Sequence, residues 1–519
     1  MWDQDNSKER VSKQWDTLNK AGITVKRLSR EMDLTNLSPT DVRIVHGSHL
    51  YLDITNIRNL VENATLRRED FKPLHRYMHV LRVELRRIIQ NLFDGDKMQV
   101  QGAKFHGLLY KPYDDDATLA WHSVLVAIAF METIRKSLPK VFPDYPTMTP
   151  TVGIDLGDAI VANIGVRGDR ELISVGSAAN HAAKILGTAN AITVTPELWQ
   201  ILSLEHQELF AEDGDNYRLD WLNAGDPEQT IRDAGFSWSV YQSTKRMQET
   251  VDSLPLSDIQ SHQAESRIEL SALGPKHFKT CMAGSIFVDI DGYTSLIDSL
   301  MDSEEELAKA VILLHLFRHE LQCITEADFD GVSIQHQGDR LQAIIHLPTG
   351  NDDRIKEKMV EMAISYNSSV EEVINANQKV FDKYHVAIGA AYGKTVVVRS
   401  GTKGDLDAGC FGDAVLGAED LQLRSKGSDM RIAKDVFAAI SDEAVRGLFL
   451  FESENDCYKA TNLTWSKIED AQNSKHYAAK AAVGFNTLTR SVEFERSNGP
   501  NVSRRPEVVP VKNTRNWGL

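Results

Sequence analysis

The chain has 519 residues, with 58 basic and 74 acidic side chains and a net charge of −16. At roughly 100–200 residues per domain this length corresponds to about three units, and so acidic a surface is unsuited to coating nucleic acid or an anionic membrane. A hydrophobic fraction of 42% and a charged fraction of 25% exclude the collagen-like, disordered and disulfide-scaffold classes. The four cysteines, Cys281, Cys323, Cys410 and Cys457, form no CxxC pair. They argue against a thiolate zinc site and for a reducing compartment. No run approaches 18 consecutive apolar residues and the N-terminus lacks a secretory pattern, so the expectation is a cytoplasmic protein with no membrane and no nucleic-acid partner.

Taken in chain order, residues 1–42 read as a mostly helical polar extension. A first folded unit is expected over 43–245. It opens with a strand at His46–Ile54 ending in Asp53-Ile54, followed by a helix over Asp70–Asn91 and a strand through Gly102. A helix over Ala117–Leu138 comes next, then a strand with a Gly-rich hairpin, then a helix beginning near Asn180. Residues 246–280 read as a charged connector broken by Pro255 and Pro275. A second unit over 281–480 repeats the pattern: a strand ending in Asp289-Ile290, a helix over Glu304–Ala327, a strand through Gly338, a helix over Asp352–Gln378, a Gly-rich hairpin, and a helix near Leu416. The tail, 481–519, carries Pro500, Pro506 and Pro510 and is expected to be extended.

The two units are copies. Asp53 and Asp289, Gly102 and Gly338, Gly153 and Gly389, and Gly176 and Gly412 are each separated by 236 residues. Short glycine patterns match by chance, but four matches at one spacing do not, so the chain reads as a tandem repeat.

The copies differ where chemistry would sit. Copy two has Asp289 at a strand end and Asp339 after the hairpin glycine, a pair of hard oxygen donors suited to Mg²⁺ or Mn²⁺. Copy one keeps Asp53 but has Ala103 at the second position. Copy one has Asn180 and Lys184, one turn apart on a helix face, an amide donor and a cation suited to a phosphoryl transition state. Copy two has Leu416 and Asp420 there. Each Asp alone is an ordinary turn residue, and Asn180 and Lys184 alone are an ordinary helix start and a solvated cation. One complete set divided between two copies points instead to a single composite site between the halves.

This set resembles the class III nucleotidyl cyclases. The resemblance rests on Asp289-Ile290-Asp291-Gly292-Tyr293 and Gly338-Asp339 in copy two, and on Gly176-Ser177-Ala178-Ala179-Asn180-His181-Ala182-Ala183-Lys184 in copy one. It implies an α+β fold of two ferredoxin-like cyclase domains in tandem, joined as an intramolecular head-to-tail pseudo-dimer. It also implies two-metal cyclisation of a nucleoside triphosphate. Asp289, Asp339 and the Ile290 carbonyl would hold two Mn²⁺ or Mg²⁺ ions, and Asn180 and Lys184 would take the transition-state positions. Lys184 replaces the family's Arg, giving a point charge in place of a bidentate fork. Lys403 falls near the family's phosphate-binding basic position, where a solvated loop lysine is the plain alternative. The base-reading positions are Gln99 and Ile173, which match neither purine pair. Ile173 would leave a purine edge unpaired.

The run His46–Asp53 also resembles the bacterial pyrimidine cyclases of the Pycsar anti-phage systems. That likeness implies UTP as substrate, with CTP as the variant, and a separate effector protein activated by the cyclic nucleotide. It implies an internal pseudo-dimer, alone or in a higher oligomer. A purine cyclase with an atypical pocket and a non-catalytic scaffold are the competing readings.

Overall fold

The computed structural model describes residues 2–473, apart from 35–36, 67–70, 167–168, 188, 221–224, 378–380 and 403. The expected helix start at Asp70, the candidate Lys403 and the tail 481–519 therefore lie outside the described residues. Strand Asp41–Ile54 shows why this sequence builds a sheet with one face on a core. Leu50, Leu52 and Ile54 are fully buried and alternate with Tyr51 and Asp53, so the apolar set faces one side and the polar set the other. The apolar set packs under helices Lys72–Arg87 and Asp116–Glu132. Helix Asp116–Val141 is long and apolar enough to cross a membrane, yet 78% of its most apolar window is buried inside the fold. It is the apolar spine of the first half.

Each half holds a nine-stranded mixed sheet with the same strand order. In the first the order is Asp96–Gln101, Lys104–Leu109, Asp41–Ile54, Pro150–Val166, Ala191–Val194, Asn216–Asp220 and Ala211–Asp213. Thr24–Arg27 pairs with Asp41–Ile54 and Asp169–Val175 with Pro150–Val166. The second sheet runs Val332–Gln337, Arg340–Ile345, His277–Ile290, Val386–Thr402, Asp429–Ile432, Cys457–Thr461 and Leu450–Glu452. Gln260–Gln263 and Asp405–Gly412 take the two side positions. The expected tandem of similar α+β domains is thus the observed architecture. Even local irregularities repeat. The two long helices of the first half end in π-helical turns at Ile88–Leu92 and Thr133–Ser137, and those of the second at Ile324–Asp328 and Ser369–Ile374.

The repeat reaches outside the two sheets. Helix Gln4–Ala21 docks on the second half, where Ser7 Oγ donates to Glu320 Oε1 at 2.7 Å and Arg10 forks onto Glu320 and Asp328. Helix Val240–Ser253 docks on the first half, where Ser243 Oγ donates to Glu84 Oε1 at 2.7 Å and Arg246 Nη2 to the same oxygen at 2.6 Å. Ser7 and Ser243, Arg10 and Arg246, and Glu84 and Glu320 are all separated by the same 236 residues. Each repeat therefore begins with a helix lent to the other half. Glu84 and Glu320 are almost wholly buried, a position a carboxylate tolerates only when paired and hydrogen-bonded. The chain up to Trp465 forms one compact unit.

Candidate active site

The carboxylate end of the site is built by two adjacent strands of the second half. In His277–Ile290 the apolar period buries Ile286, Val288 and Ile290, which turns Asp289 to the opposite face. Asp289 pairs in register with Arg340. Asp339 occupies the hairpin turn just before Arg340, beside Gly338, whose φ of +60° suits a residue without a side chain. Ile290 N–H donates to the Asp339 carbonyl at 3.4 Å, so Asp289, Ile290 and Asp339 come together.

Burial, with Asp291 adding to it, pushes the Asp289 carboxyl up to about 6, against the opposing pull of Arg340 and a bond from Gln422. Asp339 is raised further, by burial and then by the Asp289 charge. Two desolvated carboxylates repelling each other are relieved by a shared proton or by a cation. Among the described residues no group of three or more His, Cys, Asp or Glu side chains is arranged to hold a metal ion. A hard divalent ion held by two carboxylates and a backbone carbonyl fits this donor set, with its remaining positions left to phosphate oxygens and water.

The opposite wall comes from the first half. Strand Asp169–Val175 passes through Gly176 into helix Ser177–Lys184. That helix lies directly on strand Pro150–Val166, since a Cβ at Gly153 would come within 2.2 Å of the Ala182 carbonyl oxygen. Its start abuts the second half. Ser177 N–H donates to Asp298 Oδ1 at 2.7 Å, and a Cβ at Gly338 would meet Val175 Cγ2 at 3.5 Å. The helix bearing Asn180 and Lys184 is thereby held next to the hairpin that carries Asp339. Asn180 is partly buried and Lys184, the last residue of the helix, is exposed.

Gln99 lies on strand Asp96–Gln101 and donates through Nε2 to the His336 carbonyl of the other half at 2.6 Å. Gln335, its counterpart, donates to the Val100 carbonyl at 2.9 Å. The Gln99 amide nitrogen is therefore engaged in a symmetric seam between the halves. Ile173 is fully buried. A residue not singled out from sequence is Tyr51, on the same face as Asp53. Its ring stacks on His106 at 4.1 Å, and its hydroxyl is raised by burial and then by the charge of Asp339 in the other half. Phe287 stands at the equivalent position, so a Tyr-for-Phe difference across the repeat was the available signal.

The mirror-related place, where Asp53 and Ala103 meet Leu416 and Asp420, is a cavity of about 200 Å³, below the roughly 300–1,000 Å³ common for ligand pockets. It is braced shut. Arg58 forks onto Asp420 with two bonds of 2.7 Å, and Lys104 bonds Glu419 at 3.0 Å. The charge at Asp420 thus serves an ion pair between the halves.

Comparison with known proteins follows the same lines. No family model matches the chain. It is 26% identical to a uridylate cyclase of Pseudomonas aeruginosa over 445 residues, covering 82% of this chain and 84% of the relative. It is 23% identical to a uridylate cyclase of a Rhizobium species, covering 75% of this chain and 77% of the relative. Its fold matches the crystal structure of a class III adenylyl cyclase-like ATP-binding protein from Pseudomonas aeruginosa, with a TM-score of 0.77, 22% identity, and coverage of 91% of this chain and 99% of that one. In sequence the chain is thus similar to uridylate cyclases over most of its length, and in architecture it has the class III cyclase-like fold, two domains in tandem.

Proposed function

We propose that this protein is a nucleotidyl cyclase that converts UTP to 3′,5′-cyclic UMP and pyrophosphate at one site between its halves. The observation that carries the reading is the division of parts. Asp289 and Asp339 of the second half lie beside the Asn180 helix of the first, while the mirror place has Asp53 facing Ala103, and Leu416 and Asp420 in place of the amide and the cation, with Asp420 taken up by Arg58. Divalent ions held by Asp289, Asp339 and the Ile290 carbonyl would supply activation of the 3′-hydroxyl and neutralise the triphosphate. The 3′-oxygen attacks the α-phosphorus, the bond from that phosphorus to the bridging oxygen breaks, pyrophosphate leaves and the hydroxyl proton passes to solvent. Asn180 donates a hydrogen bond to the α-phosphoryl oxygens as charge builds on them, and Lys184 adds a cation at the same end. Lys403 is proposed as a second phosphate contact.

The choice of a pyrimidine rests on Gln99 and Ile173, neither of which presents a purine-reading pair, and on the likeness to uridylate cyclases. With its nitrogen engaged by His336, Gln99 retains its carbonyl oxygen as the group to meet a base N–H. Uracil N3–H suits that acceptor. ATP is the runner-up, because the structurally similar Pseudomonas protein is described as ATP-binding. The remaining parts of the proposal are a cytoplasmic site of action and a role in anti-phage defence through a separate effector that reads the cyclic nucleotide. The test is mass spectrometry of products after incubation with mixed nucleoside triphosphates and Mn²⁺, with Asp289→Ala as control. Cyclic UMP as the main product supports the proposal. Cyclic AMP, with ATP outcompeting UTP, moves it to the runner-up, and no cyclic product from any nucleotide leaves a non-catalytic scaffold.

A further inference from the structure

We propose that Asp155, His181 and Thr195 form a brace that orients the Asn180 helix for phosphoryl transfer, making all three positioning residues. The inference deepens the cyclase reading above and rests on its assignment of that helix.

Asp155 lies on strand Pro150–Val166, beneath the helix, and is 5% exposed. Both of its oxygens are engaged. Oδ1 accepts from Thr195 Oγ at 2.5 Å and from Leu156 N–H at 2.8 Å, and Oδ2 lies 3.2 Å from His181 Nδ1. A carboxylate so placed accepts only, which puts the His181 proton on Nδ1 and leaves Nε2 on the open side of a ring that is 55% exposed. His181 directly follows Asn180 and precedes Lys184 by one helical turn. Thr195 N–H donates to the Ile154 carbonyl at 3.3 Å and its side chain caps helix Pro196–Ile201, so the far end of the brace is anchored on a separate element.

The second half supplies a built-in control. At the same spacing it has Ala391 for Asp155 and Gly417 for His181. Ala433 replaces Thr195, an equivalence fixed by backbone pairing, since Ala433 N–H donates to the Ala390 carbonyl at 3.1 Å. The same strand-on-helix packing is therefore achieved there with Ala, Gly and Ala. The fold does not require the polar trio, and burying a carboxylate carries a desolvation cost that the second half avoids. The trio occurs only beneath the helix that carries Asn180 and Lys184. A helix free to roll by about 1 Å loses on the order of 10²-fold in rate when its donors must meet a transition state.

The test transplants the second half's own solution. Asp155→Ala/His181→Gly/Thr195→Ala should lower kcat about 10- to 100-fold with KM within about twofold, while backbone amides of residues 177–185 exchange hydrogen at least about tenfold faster. His181→Asn places an amide N–H where Nδ1–H stood and should recover most of kcat relative to His181→Gly. A triple variant with wild-type kcat in an enzyme that turns over, or with unchanged exchange at 177–185, overturns the brace. So does a His181→Asn variant as slow as His181→Gly, which would make Nε2 itself the working atom. If the wild type cyclises no nucleotide, the cyclase reading fails, and the exchange measurement still decides the brace.

Discussion

The two halves share strand order, π-helical turns, lent helices and even the glutamine seam, yet they hold opposite polar equipment. The first half has Asn180, Lys184 and the Asp155–His181–Thr195 brace, with Ala103 where a second carboxylate would stand. The second has Asp289 and Asp339, with Leu416 for the amide donor and Ala391, Gly417 and Ala433 for the brace. Strand order and docking contacts are shared, and the positions assigned to the proposed site diverge. A buried carboxylate pair is costly without a cation, so a copy relieved of metal binding gains by losing one member. A helix with no phosphate to meet has no use for an anchored imidazole. On the proposed reading the unit of function is the pair of halves, each simpler where the other supplies the part.

The largest effect should come from the carboxylates. Asp289→Ala or Asp339→Ala should remove cyclase activity by at least about 10³-fold, whereas Asp53→Ala should keep most of it, because its partner position is Ala103. Pyrophosphate release measured on the three variants decides this, and equal losses would mean that the halves are not specialised. Next, Asn180→Ala should reduce kcat about 10²- to 10³-fold with little change in KM, as expected for a contact made chiefly in the transition state. Steady-state kinetics showing a KM defect alone would remove Asn180 from that role.

The repeat was legible because its landmarks are local. A strand end, a turn glycine and a helix start each need particular residues within a short span, and a common spacing of 236 residues links them. The division of Asp289 and Asp339 from Asn180 followed directly. What the sequence hid was contact between distant segments. Ser7 and Arg10 read as part of a polar extension and Ser243 and Arg246 as lying near a connector, although both pairs obey the repeat, because a charged helix face ordinarily faces water. The burial of Glu84 and Glu320 gives them their meaning. Gln99 read as a base contact, while its nitrogen meets a backbone carbonyl, a partner with no sequence signature. Tyr51 and Asp155 lie on neighbouring strands and Thr195 just past the end of a third, where lateral proximity leaves no spacing to read.

The lent helices offer a third way to strain the comparison. Arg10→Ala and Arg246→Ala each take the docked guanidinium from a buried carboxylate that keeps a serine partner, and should each destabilise the fold by about 1–3 kcal/mol, read as matching drops in the urea midpoint. A large loss at one and none at the other would show that only one half depends on its borrowed helix. The smallest effect is electrostatic and confined to the first half. His46 is raised, chiefly by its bond to Asp158, and Asp158 is held down to about 2 by His46 and Arg27. The second half has Met282 and Lys394 at these positions.

A raised histidine contributes stability that is complete below its ordinary value near 6.5 and is lost as pH rises through its folded value. A depressed aspartate contributes above its ordinary value near 4 and loses that as pH falls toward 2. The contribution is therefore greatest between about pH 4 and 6.5, and below about 1 kcal/mol because the pair is partly solvent-exposed and screened. Thermal unfolding of His46→Ala should show its deficit at pH 5.5 and converge on wild type by pH 9. A deficit independent of pH would mean that packing, and not charge, is what His46 provides.

The central claim is one composite site per chain, and binding stoichiometry tests it most directly. Equilibrium dialysis with a non-cyclisable UTP analogue and Mn²⁺ should give one nucleotide per chain, lost on Asp339→Ala and kept on Asp53→Ala. Two nucleotides per chain, or a single one that survives Asp339→Ala and disappears with Asp53→Ala, would contradict the account.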